Sequence, residues 1–318
     1  MKYLLCITTL WCVLFTQAQK PTLIKTDSPN DLVPEGIAVD ERTGTLYVSS
    51  INQQAIIAFE HDGKTRYFIK PNQDGFLQGL GIKIDRATNR LWALCNKQDS
   101  NHFTSRIYAF DLSSGKTVFQ YTQTDTVPHL FNDLAIAPDG TLFFSDTYYS
   151  AIYQLKPGAQ APEVLVKSNS LDYPNGLAFG KGPQLYIATY RNGLMRLDTT
   201  TKTLTPLPGA TDTTLTYGLD GLIYWNNSLI GIHNVGGNRS TNTVVQYTLN
   251  EQGDKIIAER IIDRGNASFH EPTTAALVKN KLYVLANSHL ASYNANKEST
   301  AGIVDKLSPV AVIVYSLR

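Results

Sequence analysis

Apolar and polar residues alternate with a period of two in short runs along most of this chain, and turn residues punctuate the runs. The stretch from Val33 to Phe59 sets the pattern. An acidic residue and a glycine, Glu35-Gly36, lead into an alternating run through Ile37 and Val39. The turn Arg42-Thr43-Gly44 follows, then Leu46–Ser49, a polar break, and Ala55–Phe59. Alternation over four to eight residues, broken by Gly, Asn and Asp, predicts short antiparallel strands. The phrase recurs as GIKIDRATNRLWALCN, NDLAIAPDGTLFFSD, NGLAFGKGPQLYIATY, DGLIYWNNSLIGIHN and EPTTAALVKNKLYVLAN. Aligned on the residue before each first strand, the copies fall at Glu35, Leu80, Asn132, Asn175, Asp220 and Glu271, at intervals of 45, 52, 43, 45 and 51 residues. A period in the forties with about four strands per unit predicts propeller blades. The fold class is therefore all-β, a six-bladed β-propeller with four-stranded blades.

Ring closure is also legible. The last blade shows Thr274–Val278, Lys281–Leu285 and, after a polar excursion from Asn287 to Ser308, a third strand at Val310–Ser316. No fourth strand follows, and Thr22–Thr26 is unassigned, so pairing of the two chain ends is predicted to remove the open edge. Longer insertions are expected at Asn96–Ser105 in blade 2 and Asn234–Asn242 in blade 5. Such loops are often functional or mobile.

Composition changes the picture little. The 318 residues carry a formal charge of +1, without runs of like charge, so no field favours nucleic acid or an anionic membrane. The first 18 residues, with Lys2, an apolar centre from Tyr3 to Phe15 and small or polar residues ending at Ala18, read as a cleaved signal peptide and are too short for a membrane span. Residues 19–318 then form one domain, secreted or periplasmic. That mature chain keeps only Cys95, so it has no internal disulfide.

Chemistry is expected at one mouth of the central channel, where each inner strand begins beside the end of its neighbour. Glu35, Asn132, Asn175, Asp220 and Glu271 bring oxygen-bearing side chains towards a common axis, beside the apolar Leu80. Carboxylates gathered there repel one another without a cation, and oxygen donors without Cys suit a hard divalent ion. Asn-Gly and Asp-Gly are also ordinary turn dipeptides, so it is the recurrence at equivalent positions that carries weight. Tyr148 and Tyr190, at strand ends, supply an aromatic wall, and His233 ends the second strand beside Asp220.

The motifs Pro34–Gly36, Phe131–Asp133, Pro174–Gly176 and Leu219–Gly221 resemble those of the senescence marker protein/gluconolactonase/luciferin-regenerating enzyme family, a group of six-bladed propellers with paraoxonase-type and strictosidine synthase-type cousins. The resemblance spans essentially the whole mature chain. It implies a central metal, Ca2+ or another divalent cation such as Mg2+, Mn2+ or Zn2+, held by Glu35, Asn175 and Asp220. Asn132 then touches the metal or the substrate, and Asp220 is also the general base. It implies a metal-dependent hydrolase of a lactone or related ester. The alternative is a non-catalytic propeller that binds a ligand or a protein partner over a structural ion. A His matching His233 occurs in paraoxonases. Two departures matter. Leu130 stands where gluconolactonases carry an Arg, and Leu77–Leu80 lacks the paraoxonase His. A small-molecule substrate is expected, contacting Asn132, Leu130, Tyr148, Tyr190 and Glu271, with Asp220 and His233 as catalytic groups.

Overall fold

In five of the six innermost strands the pairing register slips at the same place. The slips lie between Pro34 and Ile37, Gly79 and Ile82, Phe131 and Leu134, Pro174 and Leu177, and Leu219 and Leu222. A β-bulge bends its strand and re-aims the side chain that it carries. Here the bulge residues include Glu35, Leu80, Asn132, Asn175 and Asp220, the recurrent positions of the sequence. Backbones of neighbouring blades meet closely at these bulges. A Cβ on Gly36 would lie 2.3 Å from the Leu80 carbonyl oxygen, and one on Gly176 would lie 2.4 Å from that of Asp220. Glycine is needed at both for the inner strands to approach around the axis.

The computed structural model describes residues 20–234, 239–295 and 307–318. The expected signal peptide, with its cleavage after Ala18, lies outside them. So do parts of the blade 5 insertion and of the excursion from Asn287 to Ser308. The described residues form six four-stranded antiparallel sheets, each in simple up-and-down order except the last. That sheet runs Ala275–Val278, Lys281–Leu285, Ala311–Ser316 and then Thr22–Lys25, with Thr22 opposite Val314 and Lys25 opposite Ala311. The ends close the ring as the pattern predicts. Removing residues 20–25 strips this outer strand, exposes the edge of Ala311–Ser316 and costs on the order of 2 kcal/mol. The expected result is a lower melting temperature and lower solubility, measured by calorimetry and by light scattering.

Blade 2 departs from the expected loop. Residues 96–105 continue the ladder, with Arg90–Asp99 pairing His102–Asp111 out to Asp99 opposite His102. Thr117–Asp125 follows alongside. Only Ser100-Asn101 turns, with Ser100 at φ 47°. Thr and Phe on this segment suit a pleated surface as well as a loop.

Six buried apolar clusters fill the clefts between adjacent blades. One joins Tyr47 and Phe68 of blade 1 to Phe76, Tyr108 and Phe110 of blade 2, and another joins Tyr186 of blade 4 to Tyr247 of blade 5. A seventh cluster sits at one mouth of the channel. It comprises Val33, Ile51, Leu80, Tyr293 and Leu307, with Leu130 and Leu290 packed against it. Burial of apolar side chains between blades thus holds the ring rigid around its axis.

Candidate active site in the channel

Seven of the nine expected site residues line one cavity of about 370 Å3: Glu35, Leu130, Asn132, Tyr148, Asn175, Tyr190 and Asp220. At its base Asn175 Nδ2 donates to Asp220 Oδ1 at 2.8 Å, and Asn234 Nδ2 donates to Asp220 Oδ2 at 2.6 Å. Asn132 Nδ2 donates to Thr147 Oγ1 at 2.9 Å, and Thr147 in turn donates to the Pro174 carbonyl at 2.8 Å. Asn132 and Asn175 are therefore pinned by their nitrogens, and among the described residues their side-chain oxygens take no hydrogen bond. Glu35 is 8% exposed, and its Oε2 is buried with no hydrogen-bond partner among the described residues.

The electrostatics follow from that burial. Burial first, then the charges of Asp220, Glu271 and Asp133, push the Glu35 carboxyl well above the usual range. Burial raises Asp220 to about 7, against the hydrogen bond from Asn234 and with the charges of Glu271 and Asp133. The Tyr190 hydroxyl is held well above its ordinary value by burial and by Asp220 and Glu35. It stays protonated, and donates to Asn234 Oδ1 at 3.3 Å.

Two expected residues stand elsewhere. Glu271 was aligned as the sixth axial position, but the structure puts Thr273 there. Ala275 pairs with Val284 as Ile37 pairs with Val48 and Leu177 with Ile187, two residues after Thr273, Glu35 and Asn175 respectively. The backbone agrees. Val33, Tyr173 and Glu271 each adopt positive φ (49°, 56° and 65°) immediately before Pro34, Pro174 and Pro272. Glu271 is thus the counterpart of Val33 and Tyr173, at the rim. Its Oε2 accepts the Ala291 amide at 2.8 Å, at the start of the helix Leu290–Ala295. Its charge still reaches Glu35 and Asp220.

His233 also turns away from the axis. It lies directly opposite Leu219, and residues directly opposite in an antiparallel pair project to the same face. Leu219 is buried in the cleft between blades 4 and 5, so His233 follows it and lines a separate cavity with Thr214, Tyr217 and Arg264. Burial lowers its pKa. The next residue, Asn234, faces the channel instead. His129 stands in the loop between Thr117–Asp125 and Phe131–Ile136. It is buried, with Nδ1 2.5 Å from Asp146 Oδ2, and packs on Tyr149.

The cavity includes groups the sequence did not single out. Tyr173 is 38% exposed and meets Tyr148 (49% exposed) edge to face, with centroids 6.4 Å apart. Leu290 and Asn294 of the short helix reach the cavity from blade 6, and Gln78 from blade 2. Tyr293 of that helix donates to Asn52 Oδ1 at 2.9 Å and buries its ring in the apolar mouth cluster. Asp133 fills the bulge position that glycine takes in neighbouring blades; it accepts the Leu177 amide at 3.2 Å and stands 3.9 Å from Lys83 Nζ.

Two carboxylates and two carboxamides, without thiol or imidazole, suit a hard divalent cation. The orphaned Glu35 oxygen beside Asp220 is the feature that a cation would satisfy. Among the described residues no group of three or more His, Cys, Asp or Glu gathers to hold a metal, so the amides are essential to any such set.

Fold and axis together define a six-bladed propeller with an acid-and-amide site at one mouth of its channel. Residues 33–224 match the SMP-30/gluconolactonase/LRE-like region, and the chain belongs to that family. Solved structures share the architecture at low identity. A gluconolactonase from Xanthomonas campestris is 15% identical with a TM-score of 0.60, over 93% of this chain and 90% of that one. A calcium-binding protein, regucalcin, from Agrobacterium tumefaciens is 17% identical with a TM-score of 0.58, over 92% and 93%. A luciferin-regenerating enzyme is 14% identical with a TM-score of 0.61, over 94% and 96%. At such identities the likeness speaks for the fold. No curated protein sequence matches the chain. No helix among the described residues is long and apolar enough to cross a membrane.

Proposed function

We propose that this protein is an exported hydrolase that opens an uncharged lactone, or a related ester, with Asp220 as general base and a divalent cation on the channel axis. The observation that carries the reading is Asp220 itself. Both of its oxygens are held by amide donors beside the orphaned Glu35 carboxylate, at the base of a cavity with apolar and aromatic walls. Membership of a family named for gluconolactonase, and likeness to a calcium-binding regucalcin, support the choice of reaction and ion.

Glu35, Asn175 and Asp220 would hold the ion, with Asn132 beside them. When bound, such an ion polarises the ester carbonyl and offsets the charge that develops on its oxygen. The chain's own residues do the rest. Tyr148, Tyr173, Leu130 and Leu290 line the cavity, and admit and orient the ring while excluding water. Asp220 takes a proton from the attacking water as the water oxygen bonds to the carbonyl carbon. The ring C–O bond then breaks, and the proton passes from Asp220 to the departing oxygen, which leaves a hydroxy acid. A carboxylate fixed within reach of the water accepts the proton and returns it to the leaving oxygen.

The wall composition sets selectivity. Leu130 packs with Leu290 and Tyr293, so a substrate hydroxyl placed there loses its water without gaining a partner. Alkyl-substituted lactones should exceed gluconolactone in kcat/KM by on the order of tenfold or more. A panel assay following acid release checks this; a preference for gluconolactone would contradict it.

A further inference from the structure

Asn234 lies one residue past the second strand of blade 5 and is 8% exposed. Its Nδ2 donates to Asp220 Oδ2 at 2.6 Å and to the Pro272 carbonyl at 2.9 Å, while its Oδ1 accepts the Tyr190 hydroxyl at 3.3 Å. We infer that Asn234 is a positioning residue that fixes the plane of the Asp220 carboxylate for its work on the axis.

An aspartate held at one oxygen still swings about its Cβ–Cγ bond. Asn175, from blade 4, holds Oδ1, and Asn234 holds Oδ2, so the plane is set from two sides. Each carboxylate oxygen accepts more than one hydrogen bond, so both keep a lone pair for an ion or a water. Asn234 is fixed in turn. Tyr190 from blade 4 supplies a donor for its oxygen, and Pro272 from blade 6 supplies an acceptor for its second N–H. Flipping the amide would set its oxygen against both the carboxylate and the Pro272 carbonyl. One buried side chain thus ties three blades at the base. Groups that orient metal-binding and catalytic residues in this way typically contribute 10–100-fold.

The inference rests on the reading of Asp220 as base and ion ligand, so its test reads ion binding separately from turnover. Asn234→Ala and Asn234→Leu are made in the full chain. Both remove the donor, and Leu keeps the volume, so whichever folds carries the test. Calcium affinity is measured by titration calorimetry, and kcat and KM on the best lactone of the panel. Affinity is expected to weaken by about 10–100-fold and kcat to fall by a similar factor, with KM nearly unchanged. A folded variant with wild-type calcium affinity and wild-type kcat overturns the inference, even if its melting temperature is lower. If wild-type protein binds calcium but opens no lactone, the catalytic reading fails alone, and the calcium result still decides the role of Asn234. If wild-type protein does neither, both readings fall.

Discussion

Asp220→Asn removes lactone turnover while leaving the propeller folded. The substitution keeps size and one oxygen, but it takes away the proton acceptor and one of the two charges on the axis. Loss of a positioned general base lowers kcat by about 10²–10⁴-fold. It also disturbs the hydrogen bonds at the base. Asn175 and Asn234 both donate to this carboxylate, and an amide in its place must turn one N–H towards one of those donors. Calcium affinity therefore weakens as well, yet added Ca2+ does not restore activity. Burst-free, ion-independent loss of kcat with retained thermal cooperativity is the expected record, read by stopped-flow kinetics and calorimetry.

Glu35→Gln separates the ion from the chemistry. Glu35 carries charge but no assigned proton transfer, so the variant should bind Ca2+ one to two orders of magnitude more weakly, with activity largely recovered at high Ca2+. Without the ion the sign reverses. A buried carboxylate with an unpartnered oxygen, raised by burial and by Asp220, Glu271 and Asp133, costs the folded state free energy. Both Glu35 and Asp220 have folded pKa values above their unfolded ones, Asp220 at about 7 against an ordinary 3.8. Between those values the unfolded chain has released protons that the folded chain retains. The ion-free protein therefore loses stability as pH rises from about 4 to 7, by up to about 1.4 kcal/mol per pH unit for each retained proton. Thermal melts across that range in chelator should show falling stability for the wild type, a shallower fall for Glu35→Gln, and recovery on adding Ca2+. A flat profile would show that no buried acid titrates in this range.

The frame of this site was legible because propeller geometry sends equivalent positions to one axis. Glu35, Asn132, Asn175 and Asp220 needed only the repeat to be aligned. The bulges that aim them were not visible, since a bulge leaves the alternation of the flanking strand intact. Glu271 falls two residues short of the axial position because the polar run Glu271–Thr274 does not mark where the inner strand begins. Aligning Pro34, Pro174 and Pro272 instead leads to Thr273, and it also marks Tyr173 as a rim residue. His233 was misplaced by one residue in a strand of period two, which sends a side chain to the opposite face. The histidine went to a cleft between blades and Asn234 to the channel. The helix Leu290–Ala295 lies in a polar excursion without a strong period, and its place is set by tertiary contacts to Glu271 and Asn52.

The central claim is that lactone opening and a divalent cation belong to the same site. It is tested most directly by following hydrolysis of the preferred lactone in protein stripped with chelator and then titrated with Ca2+. The account predicts that turnover disappears on stripping and returns in proportion to ion bound at one site per chain. Turnover indifferent to chelator, or full occupancy by the ion with no lactone opened, would contradict it.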